Sequence, residues 1–262
     1  MSISSSFCSF STIKCGKELL MMLKSLEYYH PNSQIYLFLD TETDKLVSKE
    51  KFNLQIVKEI NLDKYSKYTR DEMEKNGLWT NFQMIKAKVI EYSLNNSLNT
   101  LYLDSDILLL NKIDDIDDSK DIGVSPHFIK KQITDKVGYY NGGMLWVKNK
   151  NVSNDWIEFT KTSRYFDQAS IENLVKKYKY FEFGEEYNLM PWRLIHNDNN
   201  ILENIQSFQD GRILYKNKDL KLIHTHFNST RYPYFDKFNN CLIEHLKNAN
   251  RILELKIIKQ FL

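Results

Sequence analysis

The stretch LYLDSDILLL, residues 101–110, decides how this chain is read. Apart from Asp104, Ser105 and Asp106 it is an apolar run, the pattern of a strand covered on both faces. An unpaired buried carboxylate costs several kcal/mol or takes up a proton, so two at this place require compensation. A divalent cation supplies it most simply, because hard oxygen ligands suit Mg²⁺ or Mn²⁺ and the ion cancels both charges. The bland alternative is a pair of aspartates that cap the next turn and face water. A second D-x-D, Asp115-Ile116-Asp117, sits in the polar run DDIDDSK and reads as a solvated loop.

Working outward, residues 2–9 read as a first strand with Ile3 and Phe7 on alternating positions. KELLMMLKSLEYYH then sets Leu19, Leu20, Leu23, Leu26 and Tyr29 at helical spacing before Pro31, and QIYLFLD is a short apolar strand that ends at Asp40. A helix is expected over 79–93, between a polar stretch at 61–77 and the strand at 101–109. Further on, MLWVKN and KLIHTHF read as strands, SNDWIEFTKT and DQASIENLVKKY as helices. Strand–helix alternation with near-continuous apolar strands implies an α/β fold with a mostly parallel sheet and helices on both faces. Ligands bind such sheets beyond the carboxyl ends of the strands, where the paired aspartates fall.

The 262 residues carry 36 Lys/Arg against 34 Asp/Glu, a net charge of +2, so no global field favours nucleic acid or an anionic membrane. Hydrophobic content of 42% supports one sizeable core, and one domain over 1–262 is expected, with 238–262 as a helical tail. Cys8, Cys15 and Cys241 show no C-x-x-C spacing, which suits a reducing compartment and disfavours structural zinc. No apolar run approaches the roughly 20 residues of a membrane span, and the N-terminus lacks the look of a secretory signal; a cytoplasmic protein is expected. Residues 216–262 hold nine basic residues against four acidic ones, a local charge of +5. Leu242, Leu246, Leu253 and Ile257 form an apolar stripe there, either the inner face of a closing helix or an interfacial anchor for peripheral membrane contact.

Two enzyme classes place D-x-D after an apolar strand: phosphatases of the haloacid dehalogenase type, with the first aspartate (here Asp104) as nucleophile, and nucleotide-sugar glycosyltransferases of the GT-A fold. The phosphatases usually have Thr or Val two residues past the second aspartate, where this chain has Leu108. Three further stretches resemble the retaining GT-A enzymes related to glycogenin and the bacterial lipopolysaccharide galactosyltransferases. YNGGMLWVKN matches their F-N-x-G segment through Asn141, Gly142 and Gly143. FDQASIENL matches their D-Q segment through Asp167 and Gln168. HFNSTRYPY matches their H-F-x-G-x-x-K-P-W segment through His226, Phe227 and Pro233, with Arg231 one place before the usual lysine position.

The resemblance implies a GT-A, Rossmann-like nucleotide-diphospho-sugar transferase fold and transfer of a sugar, hexosyl in class, with retention at the anomeric carbon. It implies Mn²⁺ or Mg²⁺ held by Asp104, Asp106 and His226, with His224 as the alternative imidazole. Asp104 divides its carboxylate between ion and ribose in such enzymes, and Ser105 between the aspartates is assigned to donor binding. Lys86, with Lys88 as alternative, is assigned to the donor phosphate or the aspartate pair. Asp167 would hold sugar hydroxyls and Gln168 would steady an oxocarbenium-like transition state; Asn188 would contribute to the acceptor or sugar pocket. Backbone around Phe7, Cys8 and Ser9, just after the first strand, would carry base and ribose, and Arg231 the diphosphate. The acceptor is a glycan, a lipid-linked sugar or a protein, and no nucleic-acid partner is expected. A sugar-binding relative without activity is the remaining alternative.

Overall fold

A computed structural model of the chain describes residues 5–196, 201–227 and 233–261. The strands are β1 (Ser6–Ser11), β2 (Gln34–Leu39), β3 (Gln55–Ile60), β4 (Thr100–Leu103), β5 (Ile107–Leu109), β6 (Ile122–Pro126), β7 (Tyr140–Val147), β8 (Tyr180–Glu182), β9 (Ile205–Ser207), β10 (Ile213–Tyr215), β11 (Lys218–Asp219) and β12 (Leu222–His224). Seven form the central sheet in the order β3-β2-β1-β4-β7-β6-β8. Every pairing in it is parallel except the two made by β7, so the sheet is the mostly parallel one expected.

The period-2 alternation of the strands feeds two separate cores, one on each face. Phe7, Leu101, Leu103, Met144 and Trp146 point into one, beneath the helix Gly16–Tyr29. Cys8, Phe10, Tyr102, Leu145 and Val147 point into the other, against the helices Ile85–Leu94 and Asn151–Thr160. The tail, helices Pro233–Asn248 and Ile252–Phe261, closes the first core. Its apolar stripe is consumed in doing so: Leu242, Leu246 and Ile257 are buried and Leu253 packs against the same cluster. The structure thus places these four residues on the inner face of closing helices. Among the described residues no helix is long and apolar enough to cross a membrane.

Three departures from the sequence reading matter for the site. The expected strand 101–109 is two strands: Asp104 to Asp106 form a turn, after which β5 leaves the central sheet to pair antiparallel with β12. The helix expected over 79–93 breaks at Met84 into Trp79–Gln83 and Ile85–Leu94. The first strand ends at Ser11, not at residue 9. The helix Thr41–Ser48 and β3 were not anticipated; β3 is an edge strand, mostly exposed, and carries no apolar alternation to betray it.

Candidate active site

The turn that carries the aspartates joins β4 to β5, and β7 and β12 come alongside it. Because β7 runs antiparallel to β4, its first residues come alongside the carboxyl end of β4, and Asp104 N–H donates to Gly143 O at 2.8 Å. Because β12 runs antiparallel to β5, its last residue His224 is paired with Ile107, and Thr225 N–H donates to Asp106 O at 2.9 Å. The two ladders therefore bring Asn141, Gly142, Gly143, His224 and His226 to the aspartates from distant parts of the chain. The glycines are needed for this approach: a Cβ on Gly143 would lie 2.6 Å from His224 Cε1 and 2.9 Å from Asp104 Oδ2.

Lys86 is 4% exposed, whereas Lys88, the alternative to it, is exposed. Its ammonium lies 3.0 Å from Asp167 Oδ2, 3.3 Å from Asp104 and 3.0 Å from the carbonyl of Gly142. Burial alone would lower the lysine pKa, but the two carboxylates outweigh it and raise it, so the group stays charged. Asp104 also accepts a hydrogen bond from the Tyr102 hydroxyl, a residue one turn of the pleat away on the same strand. Ser105 is half-buried between the two aspartates.

Both histidines reach Asp106. His224 Nε2 is 2.8 Å from Oδ1 and His226 Nδ1 is 2.7 Å from Oδ2, and the rings stack with centroids 4.5 Å apart. His224 Nε2 is also 3.9 Å from Asp104 Oδ2. Burial alone would raise the Asp106 carboxyl; the two imidazoles overcome it and hold it well below the usual carboxylate range. Likewise burial would lower His224, but Asp106 and then Asp104 raise it above its ordinary value. His226 adopts a left-handed backbone (φ 51°), and its other nitrogen, Nε2, is buried without a hydrogen-bond partner. One carboxylate and two imidazoles whose ligating atoms all lie within 4.8 Å of one another, beside an orphaned ring nitrogen, form a donor set that fits a first-row dication.

Other expected residues fall at different depths. Asp167 opens the helix Phe166–Lys177 and is 2% exposed; Gln168, beside it, is half-buried and hydrogen-bonds with His127. Asn141 and Asn188 are buried beneath the site rather than open to it, with Asn188 fully enclosed. Phe7, Cys8 and Ser9 lie inside the central strand, buried, because β1 continues to Ser11. Burial pushes the Cys8 thiol up to about 12. The backbone that leaves the carboxyl end of β1 is instead that of Phe10 to Thr12. Arg231 lies outside the described residues.

Sequence reasoning missed two buried supports. His127 is 3% exposed; its Nδ1 donates to Gly138 O (3.0 Å) and its Nε2 accepts from Asn141 Nδ2 (3.3 Å), and burial holds its ring at about 4, neutral. Arg193 is fully buried and donates to the carbonyls of His127, Glu185, Tyr187 and Asn188. It thereby ties the segment carrying Asn188 to the one carrying His127. Neither residue has a neighbour pattern that marks it; a lone charged residue in PWRLIH gives no hint that it faces inward.

A mostly parallel seven-stranded sheet with an acidic turn at the end of its fourth strand, met by a reversed strand with glycines in its first half, is the GT-A glycosyltransferase fold. Solved structures carry the same architecture. The chain is similar to the galactosyltransferase LgtC in complex with donor and acceptor sugar analogs, at 16% identity, with 90% of this chain and 94% of that one covered and a TM-score of 0.55. It is similar to the apo form of the glycosyltransferase GlyE of Streptococcus pneumoniae TIGR4 at 14% identity (97% and 64% covered, TM-score 0.57). It is also similar to apo mouse xyloside xylosyltransferase 1 at 10% identity (88% and 100% covered, TM-score 0.53). At these identities the likeness establishes the fold. No protein-family model and no curated protein matches the sequence.

Proposed function

We propose that this chain is a metal-dependent glycosyltransferase that moves a sugar from a nucleotide diphosphate donor to a glycan, lipid-linked or protein acceptor, with retention at the anomeric carbon. The observation that carries the reading is the gathering of Asp104, Asp106, His224, His226, Lys86 and Asp167 at the carboxyl end of β4, on the fold of sugar transferases. Glycosyl transfer leaves negative charge on the departing diphosphate, and preorganised positive charge at that point is the largest lever available to a protein. Asp104, Asp106, His226 and His224 would hold Mn²⁺ or Mg²⁺, which when bound neutralises that charge.

The chain's own residues supply the rest. Lys86, charged and rigidly held between Asp104 and Asp167, orients both carboxylates. Asp167 presents its remaining hydrogen-bonding capacity to sugar hydroxyls, and Gln168, steadied by His127, offers an amide oxygen to positive charge developing at the anomeric carbon. Backbone of Phe10 to Thr12 takes over the base and ribose role that the sequence placed at Phe7 to Ser9. Arg231 is retained as the candidate diphosphate contact on the sequence match alone. The dehalogenase-type alternative would use Asp104 as nucleophile; its oxygens are already engaged by Lys86 and Tyr102, and no observation favours it.

The test is a panel of nucleotide sugars with Mn²⁺, read by thermal stabilisation and by slow hydrolysis without acceptor. One preferred donor should stabilise and be hydrolysed, with Gln168→Ala reducing hydrolysis by about 10²-fold or more at unchanged stabilisation. Stabilisation without hydrolysis would mean a sugar-binding relative, and a phosphoenzyme lost in Asp104→Asn would mean the phosphatase.

A further inference from the structure

Among the described residues, eight other than glycine have a left-handed backbone. Asn32, Lys216, Asn217 and Asn250 lie in turns, and three of these are asparagines, which tolerate that conformation. The other four, Phe128, Phe166, Asn188 and His226, stand in or beside the site. For a bulky side chain the left-handed region is an outlier, and it persists only where surrounding contacts over-determine it. Phe166, with φ 39°, opens the helix that carries Asp167 and Gln168.

Tyr165 before it is extended (φ −152°, ψ 91°), so Phe166 carries the change of direction from extended chain to helix. Several contacts hold the turn so made. The Asp167 carbonyl accepts from Ser170 Oγ at 2.7 Å and from Trp156 Nε1 at 3.0 Å, and Trp156 and Ser170 are both fully buried. Because the Ser170 proton goes to that carbonyl, Thr160 Oγ1, 2.8 Å away, donates to Ser170 Oγ. Gly138 closes on the backbone of the same turn: a Cβ there would lie 2.8 Å from Ala169 Cα and 3.0 Å from the Gln168 carbonyl carbon. The Phe166 ring stands perpendicular to that of Trp79, with centroids 6.5 Å apart.

The two functional side chains depend on this turn unequally. Asp167 is held by its own ion pair with Lys86 at 3.0 Å. Gln168 is half-buried and has a neutral partner, His127, in place of an ion pair, so the backbone sets its direction.

We propose that Phe166 is a positioning residue: its left-handed backbone, clamped through the Asp167 carbonyl by Trp156 and Ser170, aims the Gln168 amide into the site. The proposal rests on the transferase reading above and adds to it what holds Gln168 in place. Glycine at 166 enters left- and right-handed regions alike and frees the turn, whereas asparagine accepts the left-handed region and keeps it.

The experiment compares Phe166→Gly and Phe166→Asn with the parent, each as the full chain labelled with ¹⁵N-tryptophan. The Trp156 indole signal is assigned with Trp156→Phe, and its hydrogen exchange reports whether the Asp167 carbonyl stays on its donor. In Phe166→Gly that exchange should quicken by about 10-fold or more without a matching fall in melting temperature. For hydrolysis of the preferred nucleotide sugar, kcat should fall by about 10-fold at unchanged KM, because misplacing Gln168 costs the chemical step and not donor affinity. Phe166→Asn should lie nearer the parent in both readouts. An unchanged kcat or an unchanged exchange rate in Phe166→Gly overturns the inference, as does Phe166→Asn lying no nearer the parent. So does a melting temperature that falls enough to account for both changes, the mark of a purely structural role. If the parent hydrolyses no nucleotide sugar, the proposed function falls, and the indole exchange alone decides whether Phe166 fixes the turn.

Discussion

Lys86 and Asp167 meet at 3.0 Å in the interior, the lysine 4% and the aspartate 2% exposed, and the same ammonium reaches Asp104 at 3.3 Å. One buried cation thus serves two carboxylates from different elements and locks the helix Phe166–Lys177 to the end of β4. Removing it as Lys86→Met leaves two carboxylates without their counter-charge, a change that typically costs about 3–5 kcal/mol. Urea denaturation should register that loss, and donor hydrolysis should fall with it. Lys88→Ala, at an exposed position, should stay within about 0.5 kcal/mol of the parent. Since the Lys86 pKa is raised above its unfolded value, its contribution should persist through neutral pH and be lost only as pH climbs past the ordinary lysine range.

Arg193 offers a second test of the interior. Burial brings its guanidinium down to about 10, still charged at neutral pH, and its stabilisation comes from main-chain carbonyls, including Glu185 O at 2.6 Å and His127 O at 3.1 Å. Lysine cannot reproduce that planar fork. Arg193→Lys should lose on the order of 3 kcal/mol of stability because several carbonyls lose charge-assisted partners, and the loss should be visible as a lower urea midpoint.

Acid sensitivity should report on His30. Its Nε2 accepts the Ile113 N–H at 3.0 Å, so the folded protein needs that nitrogen unprotonated. Burial, helped by Lys112 and opposed by Asp114, depresses the ring from 6.5 to about 4. The unfolded chain therefore takes up a proton that the folded chain refuses. Stability from this group is fully present above pH 6.5 and is lost as pH falls from there towards 4, by on the order of 3 kcal/mol. Denaturation of the parent and of His30→Gln at pH 7 and pH 4.5 should show the smaller pH dependence in the variant; equal slopes would count against the assignment.

The tail should behave as core. Leu246 is fully buried and Leu242 is 2% exposed, so Leu246→Ala should cost about 2–5 kcal/mol. Co-sedimentation with anionic vesicles should show no association of the intact chain through this stripe, because its apolar side already faces protein.

Much of the site was legible because the chemistry left conspicuous local marks. Two aspartates inside an apolar run, a glycine pair ahead of a strand, and Asp167-Gln168 at a helix start are patterns in which polarity or flexibility contradicts its surroundings. Those residues do come together, although Asn141 and Asn188 turn out to lie beneath the site and Phe7 to Ser9 inside a strand. Lys88 stood as the alternative to Lys86, since they sit at similar angles from the apolar face and only the neighbouring carboxylates draw one of them inward.

The alternation of polar and apolar residues by itself determined that this is an α/β chain with a parallel sheet buried on both faces, and that its acidic pair falls at the end of a strand, because burial periodicity is written locally. Tertiary structure alone decided that the strand breaks between the aspartates, that both histidines share Asp106, and that His127 and Arg193 support the floor. Those outcomes depend on the register of β7 against β4 and of β12 against β5, and pairing register is set by contacts between segments far apart in sequence, which no local pattern records.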